Sequence, residues 1–322
     1  MTELVTAEQR DQYAAVRAAS GYARGLRRTQ LQLSGKDRGT FLHAFCTADI
    51  ASLVTGQGCE AFITSVQGKT LGLVHVFCRQ DSLLLDTVAG QAEGLVSHLD
   101  RYVIREEVTF TDQSDQGQTM LIAGPEAGQT LVSLVQSSIP EDPLGHVEVA
   151  FAGHPLSIRR CPTPLDGFWI HGDATSLDAL TPLLADDGCR EIDETVVEML
   201  RVEAGIPCYG VDLDDQNLPQ EVNRDTQAIS FTKGCYLGQE TVARIDALGH
   251  VNRLLTGLAL PPGPLPRAGM VIEQDGREAA RVTSSSYSPR LGRPLAMAYV
   301  RREASTPGTV LEGAEVVSLP LD

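Results

Sequence analysis

The chain has 322 residues, of which 42% are hydrophobic and 21% charged, and this length allows two or three hydrophobic cores. The 42 acidic residues outnumber the 26 basic ones and give a formal net charge of -16, which argues against a direct nucleic-acid partner. The first residues lack the features of a secretory signal and no apolar run approaches the roughly 20 residues that span a bilayer, so the sequence predicts a cytoplasmic protein with no membrane partner.

The N-terminal third predicts an α+β unit. Its predicted elements are a helix over residues 7–20, a strand over 58–64, a hairpin over 71–87 with its turn at 79–82, a helix with Leu95, Leu99 and Tyr102 on one face, and a strand over 108–110. The polar residues 111–118 form a plausible boundary after this unit.

The next segment predicts a second unit of the same kind. Its predicted elements are a strand over residues 119–123, a helix over 125–138, a hairpin over 146–159 around Gly153, a strand over 167–171 and a helix over 176–184. Sheets with helices on one face, built twice, indicate two ferredoxin-like (split βαβ) half-units. No repeat is visible residue by residue, so the duplication is predicted from architecture alone.

A helix over residues 193–204 places a carboxylate on an apolar face. Thr195 and Glu198 have capping-box spacing at its start, and Glu203 falls on the same side as Leu200. A buried, unpaired carboxylate costs several kcal/mol or becomes protonated. Glu203 is therefore expected to pair with a core arginine, to accept backbone N–H groups, or to recognise a ligand.

Residues 231–240 combine two glycines, a cysteine and a cation in a turn before a predicted helix over 239–246. Unpaired N–H groups at a helix start favour an anion, so Cys235, two residues from Lys233, is a candidate for a thiol with a lowered pKa. The alternative is a glycine-flanked loop in which Cys235 only fills space.

The seven cysteines include no C-x-x-C pair, which fits free thiols in a reducing compartment. The seven histidines do not fall at metal-ligand spacing with them, and His75 and His250 are better explained as a packed residue and a turn residue. We therefore predict no intrinsic metal site.

From about residue 251 the sequence changes to short apolar segments separated by turns that contain glycine and proline. This pattern is all-β and predicts a small C-terminal β-barrel of about 70 residues.

The run KGCYLGQE at residues 233–240 resembles the signature K-G-C-[YF]-x-G-Q-E of the YgfZ-like folate-binding proteins, which are relatives of the glycine-cleavage T-protein (GcvT-like aminomethyltransferases). Residues 201–207, 218–221 and 249–253 are similar to further segments of that family. The resemblance is most specific over residues 200–258 and implies a first folate-binding unit over 1–115, a second unit with the signature over 116–250, and a barrel over 251–322.

The resemblance implies a bound tetrahydrofolate or related reduced folate, with Glu203 as the residue that accepts the paired N–H donors of the pterin edge. The benzoyl-glutamate tail is negatively charged, and the cations around the signature that are candidates for binding it are Lys233, Arg244 and Arg253. Each is equally compatible with a solvated surface charge.

T-proteins carry an aspartate after a Thr-x-x-Gly-Gly turn, whereas residues 64–74 of this chain contain no carboxylate. Because aminomethyl transfer needs such a group near the folate nitrogen, the leading hypothesis is a YgfZ-type accessory protein. Its implied partners are iron–sulfur enzymes or their assembly factors and, through those enzymes, tRNA modification, with Cys235 as a redox-active or partner-facing thiol. The alternative is a folate-dependent aminomethyltransferase or demethylase; a cysteine hydrolase is weaker, since no histidine is placed by sequence to pair with Cys235.

Overall fold

Helix α1 (Ala7–Ala18) and strand β1 (Gly21–Leu26) come first in the computed structural model, which describes residues 5–162 and 165–321. Thr6 caps α1, because its hydroxyl accepts a hydrogen bond from the Gln9 N–H and the Gln9 side chain accepts one from the Thr6 N–H. The predicted N-terminal helix is confirmed.

The first half-unit is an antiparallel sheet with two helices on one face. Its elements are β2 (Arg28–Ser34), α2 (Arg38–His43), β3 (Gly58–Thr64), β4 (Thr70–Cys78), β5 (Ser82–Val88), α3 (Ala92–Leu99) and β6 (Thr109–Asp112). The strand order is β3-β4-β5-β2-β6. With β3 set aside as an added edge strand, this is the split βαβ order.

The second half-unit repeats this topology. Its elements are β7 (Gln118–Ala123), α4 (Ala127–Val135), β8 (His146–Phe151), β9 (His154–Arg160), β10 (Gly167–Gly172), α5 (Ala174–Asp186) and β11 (Arg190–Glu191). The order β11-β1-β7-β10-β9-β8 matches the first sheet strand for strand, except that β1 lies between β7 and β11. The predicted duplication is confirmed by topology, although no sequence repeat reveals it.

Strand β1 therefore belongs to the second sheet, although it precedes the first one in the chain. Tyr22 pairs with Ile122 on one side and with Glu191 on the other. Residues 21–26 thus lie apart from the rest of the predicted 1–115 unit. The predicted domain boundaries near residues 115 and 250 remain predictions.

The remaining elements are three helices of the described chain and a sheet that is almost closed. They are α6 (Glu194–Glu203), α7 (Asp225–Ala228), α8 (Gln239–Leu248), β12 (Arg253–Ala259), β13 (Val271–Gln274), β14 (Arg277–Ser288), β15 (Arg293–Arg301), β16 (Val310–Leu311) and β17 (Ala314–Val317). The strand order is β13-β14-β15-β12-β17-β16, and β13 and β16 at its two edges approach each other. The predicted C-terminal barrel is confirmed.

The cap of α6 differs from the predicted one. The Asp193 carboxylate accepts the Val196 N–H at 3.0 Å, so Asp193 is the N-cap. Glu198 is not part of a capping box, because it pairs with Arg201 one turn further along.

The two faces of the first sheet differ in polarity. One face packs apolar side chains under α2 and α3. On the other face, Glu60, His75, Asp86 and Gln30 lie side by side on β3, β4, β5 and β2, because the strand register pairs each with the next. This polar row faces the second half-unit.

The two half-units meet through a buried ion-pair network at Asp86. Arg159 of β9, only 1% exposed, donates to Asp86 Oδ2 at 2.9 Å and to Gln30 Oε1 at 2.6 Å, and Arg28 pairs with the other carboxylate oxygen. Burial would raise the pKa of Asp86, but the positive charges of Arg28 and Arg159 lower it. The carboxylate is therefore ionised and joins three strands from two sheets.

Replacing Asp86 with Asn should lower the free energy of unfolding by about 3–5 kcal/mol, because the buried guanidinium group of Arg159 and the partly buried one of Arg28 lose their counter-charge. The folded-state pKa of Asp86 is depressed, so its contribution is present at neutral pH and disappears as the pH falls through that value. Urea denaturation at pH 7 should show the full difference, and the difference should narrow in acid.

Asp178→Asn is the matched control, because it removes a carboxylate that is 65% exposed and pairs with Arg24 at the surface. It should cost less than about 1 kcal/mol at either pH. Similar losses in both variants would contradict a special role for the Asp86 network.

Candidate functional site

A cavity of about 220 Å³ lies between the polar row of the first sheet, strand β10 of the second sheet and helix α6. We call it the central cavity. Residues that line it and that carry polar or aromatic groups are Arg27, Arg28, Glu60, His75, Asp86, Thr87, Trp169, Arg201, Cys208 and Tyr209. A concave site with an apolar wall and a few convergent polar groups is the usual form of a small-molecule site.

Two carboxylates reach this cavity although residues 64–74 contain none. Glu60 comes from β3 and Asp86 from β5, on either side of the strand in which a carboxylate was sought. Sequence analysis missed both; the available signal was a single charged residue inside an otherwise apolar strand. Both are already paired with cations, so neither is a free base in the described chain.

Glu60 forms a two-point ion pair with Arg224, in which Nη2 lies 2.7 Å from Oε2 and Nε contacts Oε1. Burial would raise the pKa of Glu60, but its interactions with His75 and Arg224 lower it to about 2. The negative charge on Glu60 is therefore fixed at any pH at which the protein works.

Two residues that line the cavity each carry a buried ring nitrogen whose hydrogen bond is not made within the described chain. The atoms are Nδ1 of His75 and Nε1 of Trp169. At the rim, the exposed Arg27 has no carboxylate partner among the described residues. Arg28 lies 4.8 Å above the Trp169 ring. Buried polar groups are normally paired, so each of these two nitrogens calls for a partner such as a ligand or an ordered water.

Glu203 is buried, as predicted, but its carboxylate does not line the central cavity. Tyr13 donates to Oε2 at 2.6 Å and Ser288 donates to Oε1. Two hydroxyl groups thus satisfy the carboxylate that was expected to find an arginine, a backbone N–H or a ligand. Glu203 borders a different cavity, of about 420 Å³, which Arg17 also lines.

Lys233 does not lie at a pocket mouth; it holds two segments of the chain together. Its Nζ donates to the carbonyl oxygens of His43 at 2.6 Å, Cys46 at 2.8 Å and Ala48 at 2.7 Å. These contacts use all three N–H donors of the ammonium group. The position expected from the sequence is corrected here, because no donor is left for a folate tail.

The second signature glycine fixes the same loop against the first sheet. Gly238 has a φ of +83°, and a Cβ atom there would lie 2.4 Å from the Ser65 carbonyl oxygen in the β3–β4 turn. Only glycine fits this contact. Helix α8 begins directly after it, as predicted.

The other two predicted cations also lie outside the central cavity. Arg244 is on the surface of α8, one turn from Glu240 at 3.4 Å. Arg253 donates to Glu221 at 3.1 Å and lies 4.6 Å above the Tyr299 ring. The structure therefore does not bring Glu203, Lys233, Arg244 and Arg253 together around one pocket. The arginines at the cavity are Arg27, Arg28 and Arg201, which sequence analysis did not select as ligand-binding cations.

Comparison with known proteins identifies the family. The model of the GCVT N-terminal domain matches residues 2–233, and that of the glycine cleavage T-protein C-terminal barrel domain matches residues 253–316. The chain belongs to the glycine cleavage T-protein family.

Relatives in this T-protein family include a putative chloroplastic transferase of Arabidopsis thaliana, 26% identical over 90% of this chain and 67% of its own length. An aminomethyltransferase of Nostoc sp. is 29% identical over 94% of this chain and 82% of its own length. The crystal structure of the glycine cleavage system aminomethyltransferase T from Bartonella henselae has a TM-score of 0.79 at 22% identity and covers 96% of this chain and 88% of its own, which shows the shared fold. These matches identify the family, and the YgfZ-like branch remains a prediction.

The described residues were searched for side chains that could hold a metal ion and for helices that could span a membrane. Within residues 5–162 and 165–321, no group of three or more His, Cys, Asp or Glu side chains is placed to hold a metal ion. No helix of the described chain is long and apolar enough to cross a bilayer.

Cys235 of this T-protein relative should be the first of the seven cysteines to be alkylated near neutral pH. Its side chain is exposed, whereas the other six are buried or partly buried. Burial raises the pKa of Cys46 to about 11 and also raises the pKa of Cys78 and Cys208, so these thiols are less nucleophilic as well as less accessible. A time course with iodoacetamide, followed by peptide mass analysis, measures the order.

Cys235→Ser is the control and should remove the fast phase of labelling without changing the slow one. Fast modification of Cys78 or Cys208 with Cys235 left intact would assign Cys235 the space-filling role.

Proposed function

We propose that this protein binds a reduced folate, tetrahydrofolate or a derivative, in the central cavity. The single observation that carries the proposal is that this cavity, in a T-protein fold, is lined by His75 and Trp169, whose buried ring nitrogens have no partner within the described chain. Pterin offers N–H donors and a carbonyl acceptor along one edge of a flat ring, which complements an imidazole acceptor and an indole donor.

The electrostatics of the cavity support an anionic ligand. Glu60 and Asp86 are neutralised by Arg224, Arg28 and Arg159, so they add no net repulsion. Arg27 is exposed at the rim, where the carboxylates of the glutamate tail would lie once the ring is inside. The aromatic ring of Tyr209 supplies a further surface for stacking.

The predicted pterin contact of Glu203 is a rival to this assignment. Glu203 would have to give up the Tyr13 and Ser288 hydroxyl groups to accept ligand N–H groups instead. Binding of the pterin ring in the central cavity and binding at Glu203 predict different effects of mutation on folate affinity. One set of folate titrations distinguishes the two.

Tetrahydrofolate should change the fluorescence of Trp169, the single tryptophan of the chain, because the ring lines the proposed site. Arg27→Ala should weaken binding about threefold to fivefold, the amount expected for an exposed ion pair of about 1 kcal/mol. Arg244→Ala is the matched control and should bind like wild type, since Arg244 is far out on the surface of α8. Fluorescence and calorimetric titrations measure both.

Glu203→Gln decides between the two cavities. Binding in the central cavity predicts an affinity close to wild type, whereas direct pterin recognition by Glu203 predicts a loss of about 1.5–3 kcal/mol. Wild-type protein that binds no reduced folate in either assay would overturn the proposed function.

We propose that the folate-binding protein acts as an accessory factor rather than as an enzyme. The resemblance of the signature to YgfZ-like proteins supports an accessory factor for iron–sulfur enzymes or their assembly, and through them for tRNA modification. The exposed Cys235 on a loop held by Lys233 supports this reading, since the signature builds an accessible thiol and leaves no ligand-binding cation. Cys235 would then be the partner-facing or redox-active group.

The second candidate is a folate-dependent aminomethyltransferase or demethylase, and it is favoured by the matches to proteins named aminomethyltransferase. Folate carries one-carbon units on its ring nitrogens, and an enzyme must handle a proton there. In the described chain the carboxylates at the cavity are both held by arginines.

Purified protein that binds folate should therefore show no aminomethyl transfer from an aminomethyl-lipoyl carrier, because a positioned general base typically contributes about 10²–10⁴-fold in rate. A T-protein assayed in parallel is the positive control. Turnover at about 1 s⁻¹ or more would assign the chain to the enzyme class.

A further inference from the structure

His75 occupies the middle of the polar row on the first sheet. Its strand neighbours in register are Glu60 on one side and Asp86 on the other. Nε2 lies 3.7 Å from Glu60 Oε2, and Nδ1 is buried without a hydrogen-bond partner in the described chain. Sequence analysis interpreted this residue as a packed histidine of an apolar strand, yet the structure places it in the wall of the central cavity.

The charge on Glu60 decides which ring nitrogen of a neutral His75 carries the proton. Glu60 is held ionised by Arg224, and a lone pair on Nε2 would face that carboxylate. A proton on Nε2 removes this repulsion and gains an attractive contact. Neutral His75 therefore carries an unshared pair on Nδ1, which acts only as an acceptor.

We propose that His75 recognises the pterin edge of the bound folate by accepting one of its N–H groups at Nδ1, with Glu60 as the positioning residue that fixes the acceptor tautomer. The inference rests on the proposed function, because the ligand it names is the one proposed for the central cavity. It also identifies the acceptor that Glu203 was expected to supply.

The carboxylates around His75 are each paired with arginines. Glu60 pairs with Arg224, and Asp86 pairs with Arg28 and Arg159. On the far side of the cavity, Arg201 of α6 pairs with Glu198 and Asp212, and Cys208 and Tyr209 complete that wall with Arg27 at the rim. Nδ1 of His75 is therefore an acceptor beside carboxylates that arginines already hold.

The inference is tested by titrating Trp169 fluorescence with 5-formyltetrahydrofolate at pH 8. This probe keeps the N–H groups of the pterin edge. The affinity of the wild-type protein is the reference against which variants of His75 are compared.

Two variants of His75 separate recognition from packing. His75→Asn can place an amide oxygen close to the Nδ1 position, so it should keep most of the affinity. His75→Leu removes the acceptor and should bind about threefold to tenfold more weakly at pH 8. His154→Gln, at a partly exposed ion pair with Asp173, is the control and should match wild type throughout.

The tautomer of neutral His75 can be measured directly, without a ligand. In protein labelled with ¹⁵N-histidine, the His75 signals, assigned by their loss in His75→Asn, should show the proton on Nε2 at pH 8. The Nδ1–H tautomer would overturn the inference even if folate binds. Equal affinity in wild type and His75→Leu would also overturn it and leave the proposed function standing, whereas no binding by wild type would overturn the proposed function itself.

Discussion

The buried carboxylate of Asp86 is the interaction on which the arrangement of the two half-units depends. Its partners come from both sheets, because Arg28 and Gln30 belong to the first sheet and Arg159 to the second. Breaking one partner would leave a charge in a low-dielectric interior, a cost of several kcal/mol. The same network forms one wall of the central cavity, so the geometry of the candidate site is fixed by the contact that joins the half-units.

The signature segment fixes the position of a loop and does not contact the central cavity. Lys233 uses all its donors on three carbonyl groups at the end of α2 and just after it, and Gly238 packs against the β3–β4 turn where no side chain would fit. The two contacts hold the loop at both ends. Cys235 lies between them and is exposed, so Lys233 and Gly238 of the signature hold a thiol at the surface.

An acidic protein can bind an acidic ligand when its own carboxylates are neutralised locally. The net charge of -16 is a property of the whole chain, whereas the carboxylates at the central cavity are paired with arginines and Arg27 at the rim is exposed. The local field at short range is set by these pairs, because charges further away than about 10 Å are screened by salt.

The sequence by itself determined most of the helices and strands, the duplicated half-units and the C-terminal barrel, because apolar periodicity and turns are local signals; the short helices α2 and α7 were not predicted. It also predicted that Glu203 is buried. Only the tertiary structure decided what each polar side chain contacts: Glu203 meets Tyr13 and Ser288, which are 190 and 85 residues away in the chain. His75 becomes a candidate ligand contact through its neighbours on β3 and β5. Strand register and the packing of one sheet on another bring such residues together, and neither is encoded in the spacing of residues along a single segment.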